Sequence, residues 1–366
     1  MKRRDFIKKT TTGALASSVF IGCNQPASGP AIHTHPTIRW RLASSFPPSL
    51  DTIFGSGEIL VKRIKELTDG RFQIRLYPTG ELVHGLQVLD TVHQGSVQMG
   101  HTAGYYYIGK NPTFSFDTAI PFGLTARQQM SWLYEGGGLG LMRELYADFN
   151  VLSFPGGNTG AQMGGWFRQE IHSVNDLKGL RMRIPGIGGQ VMDRLGVNVQ
   201  VLAGGDIYPA LERGAIDATE WVGPYDDEKL GFYQAAKNYY YPGWWEPGPS
   251  LSFLVNKKAW DTLPALYQKA IEVAAAEASQ AMLAKYDAQN PAALARLLKR
   301  GVVLRRFSDD IMATAQQETK SKLEELATRN ATYNKVYTAW KKFKKTSNTW
   351  FGTSEQAYTA FRMDCS

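Results

Sequence analysis

Cysteine is nearly missing from this 366-residue chain: Cys23 and Cys365 are the only two, and Cys365 sits one residue from the end. A structural disulfide is therefore not expected. The common enzyme signatures are missing as well. There is no Gly-x-Ser-x-Gly elbow and no His-Glu-x-x-His helix, and no Gly-x-x-x-x-Gly-Lys is followed by the Ser or Thr that a phosphate-binding loop needs: Gly104 to Lys110 has the spacing, but Asn111 comes next. The six histidines are scattered, and none stands near a candidate nucleophile. Gly136-Gly137-Gly138-Leu139-Gly140 follows a helix-like stretch, which is the wrong context for a dinucleotide loop. Long hydrophobic runs are also lacking, since Ala14 to Gly22 is too short to span a bilayer. Half of the net charge of +8 lies in residues 1–22, where Lys2, Arg3, Arg4, Lys8 and Lys9 face only Asp5. What remains is modest and forms no basic stripe, so no nucleic acid partner is expected.

What is present describes an exported globular chain. Lys2 to Lys8 followed by a short apolar run reads as an export signal over residues 1–22. Its arginine pair with Phe6 and Lys8 resembles a twin-arginine signal. Phe20-Ile21-Gly22-Cys23 resembles a lipoprotein cleavage box with Cys23 as the lipidated residue. Asn24 to Thr37, with His33 and His35, reads as a tether. Hydrophobic content of 43% with 20% charged residues is that of a globular protein, and the length implies two domains.

From Ile38 the pattern is βαβα. Ile38, Trp40 and Leu42 alternate with Arg39 and Arg41. A helix follows over Ile53 to Leu67, closed by Gly70. Then come a strand at Phe72 to Leu76, a helix around Leu82–His93 and a strand at Val97–His101. The second set begins with a strand at Val151–Phe154 and a loop at Pro155–Gly160. It continues with strands at Gln162–Phe167, Leu180–Pro185 and Ile216–Trp221. Helices are expected at Gly188–Leu195 and at Asp206–Arg213, the latter with Pro209 in its first turn. Leu251–Val255 reads as a returning strand. Pro264–Gln289 reads as one helix, with Asn290-Pro291 opening a second that stops at Gly301. Ile311–Arg329 and Tyr333–Lys345 follow, with Lys341, Lys342, Lys344 and Lys345 as a solvated face. Such alternation predicts an α/β fold with mainly parallel sheets wrapped by helices. Ligands in such sheets collect beyond the strand ends, which brings forward Phe46 and Tyr105 to Tyr107.

Two isolated carboxylates, Glu220 and Glu246, sit in aromatic, glycine-rich sequence where burial is expected. A buried carboxylate must be paired, hydrogen-bonded or bound to a metal. Leu42 to Pro47, Gly104 to Tyr107, Pro155 to Gly160, Gly164 to Arg168, Ala218 to Leu230 and Pro242 to Glu246 resemble the solute-binding subunit of a tripartite ATP-independent periplasmic (TRAP) transporter. Within that family the chain is most similar to the branch that takes 2-oxo acids such as pyruvate together with sodium. The similarity runs from about Ile38 to Asn290.

The resemblance implies a two-domain periplasmic binding protein-like fold with hinge segments and long C-terminal helices. Domain I is expected at residues 38–160 and 243–287, domain II at 161–242 and 288–335, and a helical extension at 336–366. It implies that Arg183 clamps the solute carboxylate, a task suited to a planar fork that stays charged. Asn158 and Tyr106 are implied as donors to the solute, with Phe46 and Trp221 as walls. Gln162, Glu220, the backbone of Trp221 and Glu246 are implied as ligands of a sodium or calcium ion, which take hard oxygen donors. The expected function is capture of a small 2-oxo monocarboxylate for TRAP membrane subunits, not catalysis. The alternatives are a 2-hydroxy acid such as lactate bound with calcium, and a periplasmic enzyme using metal-assisted acid–base chemistry. The last helices also raise a homodimer exchanging its C-terminal helix. Pro185-Gly186-Ile187 and Pro247 depart from the branch pattern and bear on pocket size.

Overall fold

A computed structural model describes residues 35–364 of the chain. The export signal, Cys23, His33 and Cys365 lie outside them. In chain order the strands are β1 (Ile38–Ser44), β2 (Phe72–Tyr77), β3 (Met99–Thr102), β4 (Val151–Asn158), β5 (Gly165–Phe167), β6 (Arg181–Arg183), β7 (Asn198–Gln200), β8 (Ala218–Thr219), β9 (Asn238–Tyr241), β10 (Ser250–Asn256) and β11 (Val303–Arg306). They form two sheets, ordered β2-β1-β3-β10-β4 and β11-β9-β5-β8-β6-β7. Each sheet, with its helices, makes one lobe.

The sheets are mixed rather than purely parallel. β10 runs antiparallel to β3 and β4, and β5 runs antiparallel to β8 and β9; the other pairs are parallel. Parallel neighbours need a crossover on the same sheet, usually a helix. β5 and β10 arrive from the opposite lobe without one.

In β1 the buried Trp40 and Leu42 alternate with exposed Arg39 and Arg41 as expected. The helix Ile53–Leu67 also matches, and Gly70 takes a φ of 73° after it. The Leu82–His93 helix starts later, at Val88, after a tight turn at Gly85–Gln87. The strand expected at Val97–His101 occupies Met99–Thr102.

The largest correction in the first lobe concerns Pro155 to Asn158, read as loop but forming the second half of β4. Pro155 stands opposite Ser252 and Gly157 opposite Leu251, so Gly156 is the extra residue of a bulge. A Cβ on Gly156 would run into the Phe253 ring, and one on Gly157 into Met282. The glycines mark close approach, not a turn.

The break expected at Asn290-Pro291 is absent. One helix, Ala265–Lys299, passes through Pro291. Asn290 does cap a helix, but another one: its Oδ1 accepts the Tyr225 N–H at 3.0 Å, at the start of the helix Pro224–Leu230. The long helix buries Tyr267, Ala270, Ile271, Ala274 and Ala278 against the first lobe, and Tyr286 and Leu297 in a cluster with second-lobe residues. Residue 287, an expected domain boundary, therefore lies inside a continuous rod. The boundary at 335 falls inside the helix Ala331–Phe351, whose Tyr333, Tyr337 and Trp340 pack on Phe116 of the first lobe.

In the second lobe the helices run Gly186–Arg194 and Gly204–Glu212, so Pro209 falls in the second turn, not the first. The described residues end in Asp309–Arg329, Ala331–Phe351, a wide turn at Gly352–Gln356 and Ala357–Asp364. Lys341, Lys342 and Lys345 are exposed as expected, but Lys344 donates to the Phe122 carbonyl and lies 5.2 Å from the Trp340 ring. Burial lowers its pKa.

Candidate functional site

The strands of the second sheet are shorter than the sequence pattern implies, and this builds the site. β6 ends at Arg183, and β8 ends at Thr219 instead of reaching Trp221. Glu220 and Trp221 thus lie beyond the ladder, with Glu220 N–H donating to the Arg183 carbonyl at 3.3 Å. β5 starts at Gly165, which frees Gln162 from pairing within the sheet. Gln162 N–H donates to the Glu246 carbonyl at 3.2 Å, and Gly243 N–H to the Gln162 carbonyl at 3.0 Å. A Cβ at residue 243 would collide with the Gln162 and Met163 carbonyls, so the turn requires glycine. Residues far apart in sequence, Gln162 with Glu246 and Arg183 with Glu220, are thereby stitched together through the main chain.

Arg183 is 1% exposed. Its Nε donates to the Leu202 carbonyl at 3.1 Å, its Nη1 donates to the Glu220 carboxylate, and its guanidinium lies 5.2 Å from the Trp221 ring. Arg181, two residues earlier, is exposed and pairs with Asp217. Glu220 and Glu246 are both buried. Four buried atoms of the set have no partner: Arg183 Nη2, Glu220 Oε2, Glu246 Oε2 and Gln162 Oε1. Among the described residues, every charged side chain left with such an orphan belongs to this site. Orphaned buried polar atoms cost about 1–3 kcal/mol each, more when charged. Their convergence therefore identifies a place shaped for a ligand.

The charges point the same way. Burial pushes the Glu220 carboxyl up to about 7, against the pull of Arg183. Burial also holds Glu246 well above the usual range, the Glu220 charge adds to it, and Arg183, Gln162 and Tyr105 oppose it. One arginine cannot neutralise two buried acids and an anionic solute. A cation coordinated by the free carboxylate and amide oxygens would fill the deficit, and the donors are of the hard type that sodium and calcium take. No cluster of three or more His, Cys, Asp or Glu side chains occurs among the described residues. Amide and main-chain oxygens would have to complete the set.

The first lobe supplies the roof. Phe46 and Tyr105 share one buried apolar cluster with Trp221 of the second lobe. Gly186, at a φ of 70°, brings its helix so close that a Cβ would stand 3.4 Å from Tyr105 Cβ. This is the geometry of closed lobes. Tyr106 meets Tyr105 edge-on at 5.0 Å, and burial pushes its phenol up to about 12 while Arg183 pulls it down. Asn158 is the expected residue that the fold uses most itself. Its Nδ2 donates to the Gly248 carbonyl at 3.1 Å and its Oδ1 accepts the Gly160 N–H at 2.8 Å, leaving one Nδ2 hydrogen for a solute. Sequence reasoning missed the Leu202 carbonyl that aims Arg183, and Thr159, whose Oγ1 accepts Gln162 Nε2 at 3.1 Å. A main-chain acceptor leaves no sequence signal, although Thr159 sits only three residues before Gln162.

Residues 43–330 match the family model described as bacterial extracellular solute-binding protein, family 7. The chain is 54% identical over 361 residues to the monocarboxylate 2-oxoacid-binding periplasmic protein of Nostoc sp., covering 99% of each chain. Among solved structures, a TRAP transporter solute-binding protein from Bordetella bronchiseptica, a dimer with calcium and picolinate in its occupied site, superposes with a TM-score of 0.89 at 48% identity. The match covers 90% of this chain and 98% of that one. A TRAP periplasmic solute-binding protein from Pseudoalteromonas atlantica, with sodium and pyruvate bound, superposes with a TM-score of 0.86 at 40% identity. It covers 88% of this chain and 99% of that one.

Proposed function

The chain belongs to family 7 of the bacterial extracellular solute-binding proteins, and from that premise we propose that it captures a small 2-oxo monocarboxylate, pyruvate-like in size, together with sodium or calcium. It then delivers the solute to the membrane subunits of a TRAP transporter and does no chemistry on it. The observation that carries the reading is the set of orphans on Arg183, Glu220, Glu246 and Gln162. Arg183 Nη2 is the free half of a planar fork and takes the solute carboxylate. The three free oxygens, with the Trp221 carbonyl, hold the cation, which supplies the positive charge that lets two acids sit beside an anion. Tyr106 and the spare Asn158 hydrogen donate to the solute, and Phe46 and Trp221 wall it in.

The remaining assignments belong to the same reading. Domain I comprises residues 38–160 and 243–287 and domain II residues 161–242 and 288–330, with the continuous helix Ala265–Lys299 as their shared spine and the helix Ala331–Phe351 returning to the first lobe. The protein acts in the periplasm, exported by its twin-arginine-like signal and anchored through Cys23. Its C-terminal helices, with Trp350, Tyr358 and Phe361 more than 60% exposed, are the surface for a homodimer.

Titration calorimetry with pyruvate, lactate and longer 2-oxo acids tests the reading, each run with sodium, with calcium and after chelation. Pyruvate heat that needs a cation is the expected result. Cation-independent binding of all acids would remove the metal, and turnover of pyruvate or lactate would make the protein an enzyme.

A further inference from the structure

Asp226 and Asp227 lie beside the proposed ligand set without joining it. Both are buried, in the first turn of the helix Pro224–Leu230 that follows Glu220 and Trp221. Asp227 Oδ2 accepts from Trp166 Nε1 at 2.9 Å and from the Tyr239 hydroxyl at 2.7 Å, and its Oδ1 accepts the Val222 N–H at 3.3 Å. That last bond fixes the main chain beside Trp221. Asp226 faces the other way. Its Oδ1 accepts from the Thr52 hydroxyl at 2.6 Å and its Oδ2 from the Tyr286 hydroxyl at 2.5 Å. Thr52 precedes the helix Ile53–Leu67 of the first lobe, and Tyr286 stands on the long helix. Next to Thr52, the half-exposed Asp51 pairs with Lys229 of the short helix and with Lys285 of the long one, and accepts from the Tyr225 hydroxyl at 3.2 Å. Burial alone would raise the Asp51 pKa, but the two lysines outweigh it and hold it at about 2.

We propose that Asp226 and Asp227 form a two-way clamp, one carboxylate holding the segment that carries Glu220 and Trp221 and the other holding Thr52 of the opposite lobe. Solute capture and lobe closure are thereby coupled. Neither acid touches the solute, so both are positioning residues. The inference rests on the solute-binding reading, because it assigns the bonds to Thr52 to the closed state. A contact made only in one state shifts the population toward it, and its loss appears chiefly as faster dissociation.

The test uses Thr52→Val, which keeps the side-chain shape and removes the donor, and Asp226→Asn. Spin labels are placed at Lys65 and Lys178 after both native cysteines are changed to serine. Interlobe distances are measured without ligand and with pyruvate plus sodium or calcium. Both variants are expected to gain longer distances even without ligand. Stopped-flow measurement is expected to show pyruvate leaving roughly five to ten times faster at an unchanged association rate. Unchanged distance distributions overturn the clamp. Unchanged dissociation together with a lower melting temperature in the ligand-free protein overturns it too, because the bonds would then exist in both states. If wild-type distances do not respond to pyruvate with either cation, the solute reading fails, while the ligand-free comparison still decides the clamp.

Discussion

Two pairs of buried acids occupy this protein within one short reach of chain, and they are built on opposite plans. Asp226 and Asp227 have donors on every carboxylate oxygen: Thr52, Tyr286, Val222, Trp166 and Tyr239. Glu220 and Glu246 each retain an oxygen with none. Burial is equal, and the carboxyl pKa is raised by burial in all four. Neither burial nor a shifted pKa therefore separates a structural acid from a ligand-binding one. The unpartnered oxygen does. A fold keeps such a deficit only where something else will fill it, so the site carries a local destabilisation that the clamp does not.

The widest break in the comparison comes from Arg183→Ala. It leaves Glu220 buried without its cation and the solute without its fork, which should weaken carboxylate binding by about 3–5 kcal/mol, or at least about 100-fold in Kd by calorimetry. Next, Glu246→Gln and Asp227→Asn should diverge. The first removes a buried carboxyl whose ionisation burial already opposes and which keeps an orphaned oxygen, so the ligand-free protein keeps or gains stability while cation affinity falls tenfold or more, on the order of 1.4 kcal/mol. The second replaces one accepting oxygen with an amide N–H, which then faces either the Val222 N–H or the Trp166 and Tyr239 donors, and should lower unfolding free energy by about 1–3 kcal/mol in urea titrations. Equal stability losses in the two variants would erase the distinction.

A third outcome concerns pH. His101 is buried between Phe46 and Phe253, and burial lowers its pKa to about 3. The folded state then binds fewer protons than the unfolded chain, so stability falls as pH drops from about 6.5 toward 3. Asp227 has the reverse sign. Burial pushes it up to about 7, so the folded state keeps a proton that the unfolded chain releases near 3.8, and its contribution fades as pH rises through about 7. Calorimetric melting should show His101→Gln losing roughly 2–3 kcal/mol less than wild type between pH 6.5 and 4.5. The smallest effect is expected at the exposed Lys257–Asp261 pair, where Lys257→Ala should change stability by less than about 0.5 kcal/mol and leave binding alone.

Much of this was legible in residue order, for identifiable reasons. Alternation in β1 and helical spacing at Ile53–Leu67 are local signals, and the structure follows them. Pro155 to Asn158 and Asn290-Pro291 misled because proline and glycine also serve where backbones or helices press close, and closeness is a tertiary fact. The short strand β8 likewise depends on its neighbours, although its shortness is what releases Glu220 and Trp221 into the site. Glu220 and Glu246 announced themselves by their aromatic company. That Glu220 gives one oxygen to Arg183 and keeps the other, or that Asn158 is held by Gly248 and Gly160, could only be seen with the main chain in place.

The position of β10 has a consequence for synthesis. It lies between β3 and β4, so β4 has no strand to pair with until residues 250–256 have been made. A nascent chain ending anywhere between them holds an open edge in its first lobe. The amino-terminal half cannot finish folding ahead of the rest, as independent domains commonly do on the ribosome. A fragment cut after residue 160 should remain largely unfolded, and the intact protein should lose both lobes in a single transition.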